Sequence, residues 1–195
     1  MQKLESGGSM AVHIALPRWV QGVLDERSPC RTDEDKMRFV ATLARENVLR
    51  GAGGPFGAAV FQQPGNHLVA VGVNSVERLH NSVLHAEIVA LMLAEKRLRS
   101  YTLRAPGFPS HELVTSCEPC AMCLGAALWS GVRRIVCGAG RGDAMALGFE
   151  EGPVFPESYR YLEAHGIEIV HGVLADDARE AFRLYQERHG LVYNG

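Results

Sequence analysis

Several things are missing from this sequence, and each absence excludes a class. No apolar run approaches the ~18 residues that a membrane-crossing helix needs, and no secretory leader is visible. Charge of one sign is not in excess. Twenty Lys and Arg stand against 22 Asp and Glu, for a net charge of −2 and an isoelectric point near 6.4. That balance argues against a broad electrostatic footprint for nucleic acid and leaves room only for a local basic patch. No internal repeat or linker divides the chain. The five cysteines do not form the spaced framework of a disulfide-stapled secreted domain. Together these absences predict a reducing compartment, with the cytoplasm as the default.

What is present is ordinary in amount. An apolar fraction of 47% with 22% charged residues suits a soluble globular protein. The 195 residues fit one domain with a full core. Residues 1–9, polar and Gly/Ser-rich, read as a disordered leader or tag. Residues 10–195 then make a single domain.

The informative stretch is Thr115-Ser116-Cys117-Glu118-Pro119-Cys120-Ala121-Met122-Cys123, taken with His85-Ala86-Glu87. Cys120 and Cys123 are spaced to put both sulfurs on one face of a helix, within reach of one metal ion. Pro119 places them at the helix N-terminus, where free N–H groups and the dipole favour thiolate. His85 supplies a third ligand. A His/Cys/Cys set leaves one tetrahedral position for solvent, the mark of a catalytic rather than a structural zinc. Cys117 keeps a second reading open, because Cys117, Cys120, Cys123 and His85 could close the site. The pattern H-x-E…P-C-x-x-C is nevertheless that of zinc-dependent nucleobase deaminases. In such chemistry a carboxylate must carry protons to the departing amine, and Glu87 is placed to do so.

Hydrophobic periodicity positions these motifs. Val12, Ile14 and Leu16 predict an extended entry segment at most. Thr32 caps a helix from about Asp33 to Arg50. Phe56–Gln62 and Leu68–Val73 form a hairpin around Pro64-Gly65-Asn66. A polar loop leads to a helix from about His85 to Arg99. A third strand over Glu112–Ser116 delivers the cysteine helix, which runs to about Trp129. A fourth strand covers Arg134–Gly138, and Asp143–Gly148 forms a short helical turn. A helix near Glu157–Ala164 precedes a fifth strand at Ile167–Val173, parallel to the fourth. Asp176 or Asp177 opens the last helix. The alternation predicts an α/β layered fold.

His85-Ala86-Glu87 and Pro119-Cys120-Ala121-Met122-Cys123, on helices after a hairpin and a third strand, resemble the cytidine deaminase superfamily. Gly53-Gly54-Pro55-Phe56-Gly57-Ala58, Asn74 and Gly148-Phe149-Glu150-Glu151 resemble, more narrowly, the guanine deaminases of that fold. The resemblance implies a three-layer α/β/α sandwich with a five-stranded mixed sheet, one zinc ion per chain, a homodimer, and a free nucleobase substrate. It implies guanine above all, with triazines such as ammeline accepted by some members. It also implies that Glu151 holds the base and moves protons beside Glu87. Asn74 then reads the base with a donor and an acceptor, Phe56 sandwiches it against His85, and Ala86 offers a backbone N–H. Tyr193, in the tail, could cover the site of its own or a partner subunit. Trp129 reads as core or dimer contact, and the histidines other than His85 as surface or satisfied polar residues. The competing readings are a tRNA adenosine deaminase, a cytosine or cytidine deaminase, and a non-catalytic zinc-stabilised module. The first needs a basic terminal helix. Here Asp176, Asp177, Glu180 and Glu187 balance Arg179, Arg183 and Arg188.

Overall fold

The computed structural model describes residues 11–194, so the leader expected at 1–9 lies outside the described residues. Five strands form one sheet in the order β2-β1-β3-β4-β5: β1 (Gly57–Gln63), β2 (His67–Val73), β3 (Ser110–Cys117), β4 (Arg134–Ala139) and β5 (Glu168–Val170). β1 pairs antiparallel with β2 and with β3, whereas β3–β4 and β4–β5 are parallel. The sheet is therefore mixed, as expected.

Both of its faces are covered, which is why the strands read as apolar runs rather than strict alternation. Ala58, Val60, Leu113 and Ile135 point to one face. There they meet Ala86, Ala90 and Leu91 of α4 (Ala86–Leu98) and Leu124 and Ala127 of α5 (Ala121–Ser130). Ala59, Phe61, Val114 and Val136 point to the other face, against Met37, Val40 and Leu43 of α2 (Asp33–Leu49). The α8 helix (Ala175–Glu187) lies beside α2 and adds Ala178 and Phe182 to a third cluster with Phe149. The start of α2 is set by a capping box: Thr32 Oγ1 accepts from the Asp35 amide, and the Asp35 carboxylate accepts from the Thr32 amide, both at 3.2 Å. Gly72 brings α4 onto the sheet. A side chain there would place a Cβ 2.0 Å from the Ala86 carbonyl oxygen.

Three local expectations are corrected, and one helix is additional: after a non-helical entry over Val12–Leu16, α1 (Trp19–Glu26) forms with Val20 buried against the α2 face. The polar loop before Leu84 holds a single helical turn, α3 (Val76–Leu79). β5 is three residues long instead of seven, because Gly166 and Gly172 take positive φ on either side of it. Trp129 is 83% exposed and so is not core. The remaining helices, α6 (Arg141–Ala146) and α7 (Pro156–Ala164), fall where the chain pattern put them.

Candidate active site

The site forms where β3 ends, at the carboxyl edge of the parallel strands, the usual place for ligands in open α/β sheets. His85 and Cys120 are the N-cap residues of α4 and α5, and Cys123 lies in the first turn of α5. His85 Nδ1 stands 3.6 Å from Cys120 Sγ and 3.7 Å from Cys123 Sγ. Bond lengths of about 2.3 Å to sulfur and 2.0–2.1 Å to nitrogen give tetrahedral N···S edges of about 3.6 Å, so the donor set has the dimensions of a zinc site. Among the described residues, these three form the His/Cys/Asp/Glu group able to hold a metal. Cys117 does not complete a cage. Its thiol donates to the Gly140 carbonyl at 3.6 Å, at the last position of β3.

The two thiols share protons unequally. Cys120 is drawn well down by a hydrogen bond from Cys123 and by His85, against the effect of burial. Cys123 is held up by the same hydrogen bond and by burial. A cation between them would displace the shared proton. Glu87, only 5% exposed, is pushed up by burial and by the nearby Cys120 charge. Burial, with Cys120 and Glu87 adding to it, pushes Glu151 up to about 7. Two carboxyl groups in one cleft thus resist ionisation for the same reasons.

A cavity of about 340 Å³ opens onto His85, Glu87 and Cys120, with Phe56, Phe149, Glu151, Tyr193 and Asn194 around it. A larger groove of about 540 Å³ runs between α1 and α2 and holds none of these groups. Phe56 packs edge-on against Phe149 and Phe182, with centroids 5.2 and 5.5 Å apart. Ala86 is fully buried beneath the site. Asn74 is buried too, but it has less to offer than expected. Its Oδ1 already accepts from Gly54 N and Val76 N at 3.3 and 3.4 Å, while its Nδ2 has no partner.

The tail folds over its own chain's site. Tyr193 lies edge-on to Phe149 at 5.2 Å. Asn194 accepts from Glu150 N and donates to Gly148 O, both at 2.9 Å, clasping the loop that carries Glu151. Glu118, which also lines the cavity, accepts from Arg141 N at 2.9 Å and pairs with His171 at 2.6 Å. Sequence reasoning passed over both Glu118 and Asn194. Glu118 was visible inside the cysteine motif, but no local pattern marks Asn194. His111, expected at the surface or satisfied, is instead buried. Its Nδ1 bonds Leu103 O at 2.9 Å and its Nε2 has no partner.

Residues 30–139 match the model for the cytidine and deoxycytidylate deaminase zinc-binding region. The chain belongs to that family. It is a hydrolytic deaminase, and the matched span contains His85, Glu87, Cys120 and Cys123. A guanine deaminase from Bacillus subtilis is 36% identical over 143 residues, covering 73% of this chain and 87% of that protein. The solved guanine deaminase of Nitrosomonas europaea superposes with a TM-score of 0.86 at 43% identity, covering 92% of this chain and all of that one. A mutant of NE0047 solved with 8-azaguanine gives a TM-score of 0.87 at 42% identity, covering 93% and 99%. A tRNA-specific adenosine deaminase of Haemophilus influenzae also matches, at 30% identity over 80% of this chain and 84% of that protein. Glu151 and the tail lie beyond the span of the deaminase family model.

Proposed function

We propose that this deaminase acts on free guanine, replacing its exocyclic amine with an oxo group to give xanthine and ammonia, with one zinc ion per chain. The observation that carries the reading is the pairing of a zinc-sized donor triangle with two buried carboxyls of raised proton affinity lining one cavity. The guanine deaminase relatives and the 8-azaguanine complex support the choice of base.

His85, Cys120 and Cys123 would hold the ion. When bound, zinc lowers the pKa of a coordinated water towards neutrality and acts as a Lewis acid. Glu87 takes a proton from the attacking water and delivers protons to the departing nitrogen, so ammonia and not an amide anion leaves. Burial, with the nearby Cys120 charge, raises the proton affinity of this carboxyl and suits it to that role. Glu151 accepts from a ring or amine N–H of the base and, with a pKa near 7, exchanges protons with it. Phe56 packs against the flat ring, Ala86 N–H at the start of α4 is a free donor towards it, and Asn74 Nδ2 supplies another. The Tyr193 and Asn194 tail excludes water from the cavity.

The tRNA reading lacks an electrostatic basis in the terminal helix. Arg179 is paired with Asp143 at 3.0 Å and with Asp176, and Arg183 with Glu180 and Glu187. The reading also carries a homodimer. The outward face of α5 presents Met122, Gly125, Ala126 and exposed Trp129 with no charged side chain, a surface suited to a second copy. All five cysteines are free and buried, which fits the cytoplasm, and no described helix is long and apolar enough to cross a membrane.

One panel tests the function. Zinc-loaded enzyme is assayed for ammonia release from guanine, ammeline, adenine, cytosine, cytidine and tRNA. Guanine should give the highest kcat/KM, and removing zinc with a chelator should abolish turnover. A preference for tRNA or for cytosine would replace the proposal.

A further inference from the structure

Beside the cavity, residues from three separate elements meet in a knot that the chemistry above does not use. Asn47 lies near the end of α2 and is fully buried. Asparagine is a poor helix former, and burying a carboxamide is costly unless it is bonded. Both of its Nδ2 hydrogens are used: one donates to Gly54 O at 2.9 Å, the other to Asn74 O at 3.0 Å. Its Oδ1 is buried without a partner. A side chain kept only for stability gains little from such an orphaned oxygen. The two carbonyls it gathers belong to adjoining segments that lead into Phe56 and Val76, both of which line the cavity.

The first of the two glycines that follow admits no side chain. Gly53 has a φ of +153°, and a Cβ there would fall 2.4 Å from Asn74 O. Gly54 N then donates to Asn74 Oδ1 at 3.3 Å, joined by Val76 N at 3.4 Å. With two N–H donors on its oxygen, the Asn74 carboxamide has a fixed orientation. Its buried Nδ2 is left as the unpaired group. On the other side of Gly54 stands the buried, unpartnered Tyr193 hydroxyl, 2.1 Å from where a Cβ would be. The free amide therefore belongs to a corner whose neighbours Phe56, Val76 and Tyr193 line the cavity.

We propose that Asn47 is a positioning residue that fixes Asn74 as a hydrogen-bond donor only, so that the site selects a ring presenting an acceptor at that point. This deepens the function above and rests on its premise that a base occupies the cavity. Asn47 does not touch the base. It acts by holding the Gly54 and Asn74 backbones together, which in turn holds the Asn74 oxygen away from the substrate.

A double-mutant cycle with Asn47→Ser and Asn74→Ala tests this, using zinc content and circular dichroism to verify the folded state. Loss of one buried donor's alignment is worth about a two- to tenfold change in KM. Asn47→Ser should raise KM by about that factor and change kcat by less than about twofold. In the Asn74→Ala background it should add less than about twofold. Equal losses in both backgrounds, or a fall in kcat matching the rise in KM, would overturn the proposal. If Asn47→Ser does not fold, Asn47→Asp, equal in shape but without the donor, is put through the same cycle. Failure of both to fold would assign Asn47 to stability and overturn the proposal as well. The cycle uses whichever base the wild-type enzyme deaminates. A wild type silent on guanine but active on another base would refute the guanine reading while leaving the coupling measurable.

Discussion

The two ends of β3 bury acids in opposite ways. Near its start, Glu112 is fully buried, yet both oxygens are matched. Lys36 Nζ at 2.5 Å and Gln63 Nε2 at 2.7 Å serve one, and Arg134 Nη1 at 2.9 Å serves the other. Arg134 is itself held by Asp33 at 2.6 Å. Beyond its far end, Glu87 and Glu151 are 5% and 9% exposed, and among the described residues neither has a basic side chain within bonding distance. A buried acid with its countercharges in place belongs to the scaffold. A buried acid without them gives up its proton less readily and is suited to proton transfer.

Isosteric replacement at the two ends should break different properties. Glu87→Gln keeps the shape and removes the proton carrier, so kcat should fall by about 10²–10⁴-fold with zinc retained and no loss of thermal stability. Wild-type-like turnover in a zinc-loaded Glu87→Gln enzyme would remove Glu87 from the mechanism. Glu112→Gln should do the reverse. It removes the nearer countercharge of the buried Lys36 ammonium and leaves only Asp33 at 3.8 Å, a loss of about 3–5 kcal/mol in denaturant unfolding, with kcat/KM unchanged below the transition. A stable Glu112→Gln protein would mean that the matched cluster is not part of what holds the sheet together.

This contrast also explains what could be read in advance. The metal ligands and Glu87 were legible because one helix N-terminus each presents them, at spacings that local geometry fixes. The strands of the sheet centre were legible because two-sided burial leaves continuous apolar runs. The Glu112 cluster was not, since Lys36, Gln63, Glu112 and Arg134 come from four elements and each resembles an ordinary surface residue in its own segment. Asn47 and Asn194 were missed for the same reason. Their partners are 27 and 44 positions away and are backbone atoms, which carry no sequence signature. The α1 helix was missed because it is eight residues long, begins without a capping side chain or an acidic first turn, and carries Gly22 in its interior.

The tail gives an effect of intermediate size that sharpens the comparison. Tyr193 and Asn194 cover the unmatched end, whereas the matched end stays sealed by its own ion pairs. Deleting Leu191–Gly195 removes the Tyr185 hydroxyl bond to Leu191 O at 2.6 Å and both Asn194 bonds. With net values of about 0.5–1.5 kcal/mol per hydrogen bond, KM should rise by about tenfold or more. Asn194→Ala alone should produce a smaller rise. Unchanged KM and kcat after deletion would show that the tail is not part of the site.

The smallest effect is on stability against pH, and its sign should differ between the two ends. The hydrogen bond from Arg134 holds Asp33 below the usual carboxylate range, so in the native state it gives up its proton more readily than in the unfolded chain. Its contribution is present above about pH 4 and is lost as pH falls through the folded value. Glu151 is pushed up to about 7 by burial, so between about pH 4.3 and 7 the native state holds a proton that the unfolded chain releases. Stability from this group therefore increases as pH falls across that window. Denaturation midpoints of wild type and Glu151→Gln should converge as pH drops from 8 to 5, with the variant the more stable at 8. Wild type and Asp33→Asn should instead converge only below about pH 4, with the variant the less stable above it. Parallel curves for all three proteins would mean that the matched and unmatched acids do not differ in their proton affinity, and the distinction between the two ends would fall.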